Sequence, residues 1–288
     1  MQYTEHDLEK IIEKLAQSTQ SPKDEYTAYK SIRRLEKRIA MKRMRKNLYI
    51  AGSAAAAILL CIFSWSIYNL NQPSKTLTVS TLAEIKSIQL SDGTYITLNH
   101  YSSISFPKKF KNKNREIQLE GEAYFDVRKD KNHPFIVQTG NIYVEVLGTQ
   151  FNVEAYSNDE IIKTSLYEGS VAINNIANQN KLVLEPNETA IYNKIEREII
   201  KTKSPDITDD IAWKNGAFIF SNKPLREIVR ELSNSFGIEI IIVDSILREY
   251  KMTARFTNKE SLEEILSLLQ PVGNFKYTIN NQTITITK

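Results

Sequence analysis

Residues 47–74 contain no Asp, Glu, Lys, Arg or His, and this run constrains the fold of the chain more than any other feature. As a helix, its most apolar part, 48–68, rises about 31 Å, which is close to the hydrocarbon thickness of a bilayer. Tyr49 and Trp65 lie near the two ends, where aromatic side chains prefer the membrane interface. Buried helices of soluble proteins seldom run this long without a charge, and a signal peptide would begin nearer the N-terminus. The sequence therefore predicts a transmembrane helix over 47–70.

The charges are distributed unevenly around this run. The chain has a formal net charge of +4, but residues 1–47 carry 12 Lys and Arg against 7 Asp and Glu, so the rest is nearly neutral. Such a basic block binds nucleic acid in some proteins and forms the cytoplasmic flank of a membrane span in others. Because it directly precedes the apolar run, the positive-inside rule predicts a single-pass protein with 1–46 in the cytoplasm and 75–288 outside. We therefore expect no direct contact with nucleic acid.

The N-terminal segment, residues 1–46, has the apolar spacing of two short amphipathic helices separated near Pro22. The apolar positions are Leu8, Ile11, Ile12 and Leu15 in the first helix and Ile32, Leu35 and Ile39 in the second. So short a segment rarely forms an independent core. Either the two helices close on each other as a hairpin, or their apolar stripes bind a cytoplasmic partner. The periodicity favours neither alternative.

Beyond a linker at 71–81, the sequence changes to the alternation typical of β-strands, and no helical stripe interrupts it. We predict an all-β domain over 82–195, built either as a sandwich or as a solenoid. Separate strands are expected at 116–120 and 123–127.

The first hairpin of this domain has a loop whose length follows from the alternation. A three-residue Ser-Asp-Gly loop pairs Ile88 with Ile96 and places both on one face of the sheet. That geometry requires Gly93 in the left-handed conformation. We therefore predict the three-residue loop.

After a second linker at 196–212, strand and helix patterns alternate over 213–288 and predict a small α+β lobe. Its two halves resemble each other, which indicates a strand-helix-strand unit used twice. Gly237 is the expected stop of the first helix. Thr257 and Glu260 have the spacing of a capping box at the start of the second helix.

No constellation in the sequence supports catalysis, a metal or a cofactor. The three histidines lack the spacing of a metal site, and the single cysteine, Cys61, lies within the apolar run. Glu120 and Glu122 flank Gly121, but carboxylates in such a position are most often solvated at the edge of a strand. We therefore expect an interaction protein and not an enzyme.

The segment after the apolar run resembles the FecR family of anti-sigma factors, because its motifs follow in the order and spacing of that family. The motifs are Leu90-Ser91-Asp92-Gly93-Thr94, Leu119-Glu120-Gly121-Glu122-Ala123-Tyr124-Phe125-Asp126-Val127, Val146-Leu147-Gly148-Thr149-Gln150-Phe151-Asn152-Val153 and Glu168-Gly169-Ser170-Val171. From Trp213 onward, the lobe resembles the one that ends such proteins in Bacteroidetes. That lobe is similar to the short N-terminal domain of secretins and TonB-dependent receptors.

The resemblance implies structural roles for the motif residues. In the β domain they are Asp92, Gly93, Gly121, Glu122, Ala123, Phe125, Val127, Gly148, Thr149, Phe151, Asn152, Val153 and Gly169. In the lobe they are Trp213, Gly216, Phe220, Pro224 and Leu225.

The resemblance also implies a function. FecR-like proteins are single-pass inner-membrane sensors whose C-terminal region is periplasmic. The signalling domain of a TonB-dependent outer-membrane transducer contacts this region, and regulated proteolysis then frees an extracytoplasmic-function sigma factor in the cytoplasm. The two N-terminal stripes are the expected sigma-binding surface. The alternative is a membrane-anchored periplasmic module that recognises a small molecule or a glycan directly.

Overall fold

The computed structural model of the chain contains two compact units, Met1–Pro73 and Ser74–Lys288. The residues that the structure describes are 5–17, 22–71, 75–176, 180–203, 207–280 and 283–288.

The first unit is helical. It consists of α1 (Glu5–Gln17) and α2 (Pro22–Asn71), which contact each other. Proline suits the first position of α2 because the amide hydrogen that it lacks would have no partner there. The basic block and the charge-free run both belong to the single 50-residue helix α2.

The structure corrects the prediction of a transmembrane helix over 47–70. Within the described ranges, no helix is both long enough and apolar enough to cross a membrane. The prediction rested on the absence of charge, which does not by itself make a segment apolar. Polar side chains such as Ser53, Ser64 and Ser66 interrupt the run, and the helix that contains it continues into the basic block.

The second unit begins with a β domain, residues 75–203, in which thirteen described strands form one hydrogen-bonded sheet. The strands are β1 (Thr76–Ser80), β2 (Lys86–Gln89), β3 (Tyr95–Leu98), β4 (Ser103–Pro107), β5 (Arg115–Asp126), β6 (Phe135–Thr139), β7 (Ile142–Val146), β8 (Gln150–Ala155), β9 (Ile161–Glu168), β10 (Val171–Asn175), β11 (Lys181–Leu184), β12 (Glu188–Asn193) and β13 (Ile199–Lys203).

Strand β5 holds the two halves of this sheet together. Its first residues pair with β4 and β6, and its last residues pair with β3 and β8. Gly121 lies between the two parts with φ +93°, a backbone conformation that glycine adopts at little cost. The sheet therefore bends back on itself into a nearly closed, barrel-like form. This corrects the expected sandwich or solenoid, and the two strands predicted over 116–127 are one.

Side chains that alternate inward along these strands form the core of the β domain. Phe125 stacks on Phe151 with ring centroids 4.8 Å apart. The predicted hairpin is confirmed: Ile88 pairs with Ile96, and the Leu90 amide donates to the Thr94 carbonyl at 2.9 Å.

A 3₁₀ helix over Ile207–Asn215, which we call the strap, leads into the C-terminal lobe, residues 217–288. The described elements of the lobe are β14 (Phe218–Pro224), α3 (Leu225–Phe236), β15 (Glu239–Ile242), α4 (Ser245–Glu249), β16 (Lys251–Phe256), α5 (Leu262–Gly273), β17 (Lys276–Asn280) and β18 (Thr283–Thr287). Strand β14 pairs with β16, while β15, β18 and β17 form a mixed sheet. The apolar faces of α3 and α5 pack into a core of the lobe's own.

The ends of the two long lobe helices show whether the predicted stop of α3 and the predicted cap of α5 are correct. Gly237 terminates α3 in the left-handed conformation, as predicted. The capping box predicted for Thr257 and Glu260 is wrong, because the cap of α5 is Ser261 with Glu264. Two consecutive residue pairs have the same spacing, and the start of the helix decides between them.

Candidate functional site: a charged cluster beneath the lobe

The proposed sigma-binding stripes lie on α1 and α2. Ile11 is 41% exposed, while Ile12, Ile32, Leu35 and Ile39 are half-buried. The side chains of Leu8 and Leu15 lie outside the described residues. The contact between the two helices fits a hairpin that covers its apolar stripes only in part.

Asp92, in the first family motif, holds a buried ion pair. Its carboxylate accepts from Arg115 Nη1 at 2.7 Å and from Thr94 Oγ1 at 2.7 Å. Arg115 is itself buried and also donates through Nε to the His133 carbonyl at 2.8 Å. The pair fastens the first hairpin to the start of β5, as a structural role of Asp92 requires.

The remaining family-motif positions also serve the fold. Ala123, Phe125, Val127, Phe151 and Val153 are buried in the core of the β domain. Thr149 Oγ1 donates to the Ser170 carbonyl at 3.0 Å. Positive φ angles occur at Gly93, Gly148 and Gly169.

In the lobe motif, Phe220 and Leu225 are fully buried in the lobe core. Pro224 is the N-cap of α3. Trp213 is buried at the end of the strap, and Gly216 follows it with a positive φ.

Glu122 is the family-motif residue whose environment is unusual, because it is a buried carboxyl. The amides of Asn99 and Asn152 each donate to it at 2.7 Å. Burial raises the pKa of Glu122 to about 8, helped by the nearby carboxylate of Glu154 and opposed by the two amides. Glu154 lies directly opposite Glu122 in the β5–β8 ladder. The expectation of a solvated carboxylate at a strand edge is thus wrong for Glu122 and holds only for the exposed Glu120.

Arg230 of α3 reaches from the lobe into this region. Its guanidinium lies 3.3 Å from Glu154 Oε1 and 3.5 Å from Asp159 Oδ2. Asn234, one turn further along α3, donates to Asp159 Oδ2 at 2.8 Å. Burial raises the pKa of Asp159, although Arg230 opposes the shift.

Two further ion pairs complete the cluster. Lys223 of β14 pairs with Glu231 of α3, and Lys163 of β9 lies 2.7 Å from Asp210 of the strap. Burial raises the pKa of Glu231 against the attraction of Lys223. Burial also acts to raise the pKa of Asp210, but the lysines and Ser165 outweigh it and hold that pKa below its usual value.

We call these groups the sub-lobe cluster. Its members are the carboxyls of Glu122, Glu154, Asp159, Asp210 and Glu231 and the cations Lys163, Lys223 and Arg230. Carboxyls therefore outnumber cations, which favours a proton on the most buried carboxyl. A cavity of about 30 Å³ lies among these side chains, and room of this size suits about two water molecules. Asn152 Oδ1 and Trp213 Nε1, which line the cavity, have no hydrogen-bond partner among the described residues.

The chemistry available to the cluster is proton binding and ion pairing. No group of His, Cys, Asp and Glu side chains within the described part of the chain is arranged to hold a metal ion. The sequence did not predict the cluster, because its members come from β5, β8, the loop after β8, β9, the strap, β14 and α3. Asn152 of the family motif was the available signal, since a buried amide needs polar partners.

Comparison with known proteins identifies family domains in both parts of the second unit. The family model described as FecR protein matches residues 77–172. The model described as FecR, C-terminal matches residues 217–286. No curated protein matches the chain.

Two solved structures are similar to this chain over most of its length. Both are crystal structures of a protein assigned as an anti-sigma factor from Parabacteroides distasonis ATCC 8503, at 2.50 and 1.65 Å resolution. Each is 30% identical in sequence, and each match covers 74% of this chain and 99% of the other. The TM-scores are 0.66 and 0.67.

Proposed function

The chain belongs to the FecR family of anti-sigma factors, and from this premise we propose that it relays a signal from the signalling domain of a TonB-dependent outer-membrane transducer to an extracytoplasmic-function sigma factor. The family gives it a role in sigma-factor regulation. The observation that carries the relay is the division into two compact units of different architecture. One unit is a pair of helices, and the other is a large β unit with a lobe.

The helical unit is the proposed partner of the sigma factor. Ile11 is exposed, and Ile12, Ile32, Leu35 and Ile39 are only half-buried. Apolar side chains left partly uncovered on a helix gain free energy when a partner covers them.

The second unit is the proposed receiver of the signal. Because it includes both FecR-type domains, we assign to it the contact with the transducer's signalling domain. The relay requires this unit to lie on the periplasmic side of the inner membrane and the helical unit on the cytoplasmic side. Fusions of a periplasm-dependent phosphatase to either end test this placement, and activity from the N-terminal fusion would contradict it.

The sigma contact is tested by co-purification of the full chain with its cognate sigma factor. We expect Ile11→Asp combined with Leu35→Asp to abolish recovery of the sigma factor, because buried carboxylates would face the partner. Gln17→Asp combined with Ala40→Asp adds the same charge at exposed positions of the same helices and is the matched control. Equal recovery with both double variants would refute this surface.

The upstream contact is tested with the purified signalling domain of the TonB-dependent transducer that the relay requires. We expect it to bind the full chain saturably, and we expect its deletion in cells to abolish induction of a sigma-dependent reporter gene. Induction that persists without the signalling domain would contradict the relay. Saturable binding of a small molecule or glycan in its place would favour the direct-recognition alternative.

A further inference from the structure

Ion pairs and hydrogen bonds join the lobe and the strap to the β domain. Among the described residues, the apolar core of the β domain and that of the lobe are separate clusters. Contacts between domains of one chain that lack a shared apolar core resemble transient interfaces, and such domains commonly move relative to each other.

Arg230 and the strap supply the attachment points. Arg230 bridges Glu154 of β8 and Asp159 of the following loop. On the strap, Asp210 pairs with Lys163 and accepts from Ser165 Oγ at 3.1 Å. The ion pairs of Arg230 and of Asp210 both join the β domain to the part of the chain that follows it. The strength of attachment therefore depends on the charges beneath the lobe.

Glu122 lies at the centre of this interface. Glu231, Asn234 and Ser235 of α3 line the same cavity as Glu122, so the cavity lies between the β domain and the lobe. The polar and titratable groups around it come from every packed element. They are Asn99 and His100 before β4, Asn152 and Glu154 on β8, Tyr156 and Asp159 after β8, Lys163 and Tyr167 on β9, Asp209 and Asp210 on the strap, Lys223 on β14, and Arg230 and Glu231 on α3.

We propose that the lobe is a displaceable latch, held on the β domain by the Arg230 bridge over an uncharged Glu122, and that loss of the Glu122 proton releases it. Ionisation of Glu122 places two carboxylates opposite each other on β5 and β8, with the single guanidinium of Arg230 shared between Glu154 and Asp159. Like charges in a buried site repel strongly, and removal of the lobe lets water solvate them.

A hydrogen-bond acceptor for the proton of uncharged Glu122 lies nearby. The carboxyl hydrogen of Glu122 needs an acceptor, and the buried Asn152 Oδ1 has no partner in the described structure. Rotation of the Asn152 amide by half a turn brings that oxygen to the carboxyl group. The latch is a property of the second unit alone and goes beyond the proposed relay, because it needs neither the transducer nor the sigma factor.

Proton binding by Glu122 and docking of the lobe on the β domain favour each other. Covering by the lobe contributes to the rise in the pKa of Glu122 from 4.5 to about 8. The docked state therefore binds the proton more tightly, and the docking equilibrium weakens as the pH rises. The change is at most about tenfold for each pH unit in this range.

The test is a distance measurement between spin labels on the full chain. The labels are attached at Lys131→Cys in the β domain and Glu263→Cys on α5, in a Cys61→Ser background. We expect one narrow distance at pH 6 and a second, longer population at pH 9. Arg230→Gln weakens the bridge to Glu154 and Asp159 and should raise the fraction of molecules with a released lobe at both pH values. The balance between docked and released lobe then stays within the range that the distance measurement can resolve. Arg226→Gln, an exposed change on the same helix, is the matched control and should match the parent.

Glu122→Gln, which cannot ionise, should remove the pH response in both the parent and the Arg230→Gln background. Circular dichroism first establishes that each variant is folded. The same distance distribution at pH 6 and pH 9 in both the parent and Arg230→Gln would overturn the latch without reference to Glu122→Gln. A full pH response in folded Glu122→Gln would overturn the assignment of the proton to Glu122.

Discussion

Glu122 and Glu154 face each other across neighbouring strands β5 and β8, and both side chains are buried beneath the lobe. Like charges directly opposite on paired strands destabilise a sheet, and burial increases the cost. The arrangement persists because Arg230 lies beside Glu154 and because the pKa of Glu122 is raised enough to keep its proton near neutrality.

The stability of the β domain should therefore fall as the pH rises. Between the ordinary pKa of Glu122, 4.5, and its raised value of about 8, the folded state holds a proton that the unfolded chain has lost. The stabilising contribution of the protonated Glu122 is thus fully present below pH 4.5 and is lost as the pH rises to about 8. In urea unfolding, the parent should lose about 3 kcal/mol more than Glu122→Gln between pH 6 and pH 9.

The exposed neighbour Glu120 provides the control for this measurement. Glu120→Gln should follow the parent at every pH, because solvent reaches its side chain. A Glu122→Gln protein with the parent's pH profile would contradict the raised pKa.

Removal of Arg115 should destabilise the β domain strongly. Arg115→Met leaves the Asp92 carboxylate, which is 13% exposed, without its cation, and such a loss costs on the order of 3 kcal/mol. Lys129→Met removes the cation of an ion pair with Glu168 that is largely in solvent, so its cost should stay below about 1 kcal/mol. Equal midpoints of urea unfolding for the two variants would contradict the structural role of the Asp92 pair.

Local features of this fold were predictable from sequence, because they depend on near neighbours. The hairpin register that pairs Ile88 with Ile96 follows from alternation and loop length alone. Gly237 ends α3 as predicted, because few other residues adopt the left-handed conformation so readily.

Features that join distant parts of the chain could not be read in this way. Glu122 and Arg230 belong to different domains, and no spacing rule connects them. A buried glutamate also has the same appearance in a sequence as a solvated one, so Glu122 was assigned to an exposed edge. The backbone at the bend of β5 also passes close to Ser102, and alternation does not encode this approach.

Replacement of Gly121 should disrupt this bend. A Cβ atom at this position would lie 2.7 Å from Ser102 Cα, and a positive φ of +93° disfavours any L-residue with a side chain. Gly121→Ala should cost more than about 3 kcal/mol in urea unfolding or prevent soluble expression. Gly52→Ala makes the same exchange in α2, where a Cβ meets nothing within 4 Å, and alanine should be neutral or slightly stabilising there. A Gly121→Ala protein as stable as Gly52→Ala would refute this account of the bend.

The start of α5 distinguishes two consecutive capping signals. Ser261 Oγ accepts from the Glu264 amide, and the Glu264 carboxylate accepts from the Ser261 amide at 2.8 Å. Ser261→Ala removes the first of these bonds and should lower the unfolding free energy of the lobe by about 1 kcal/mol. Thr257 is exposed and lies before the helix, so Thr257→Ala should change stability by less than about 0.5 kcal/mol. Hydrogen exchange of the α5 amides measures both effects. A larger loss of protection in Thr257→Ala than in Ser261→Ala would move the cap back to the position that spacing alone suggested.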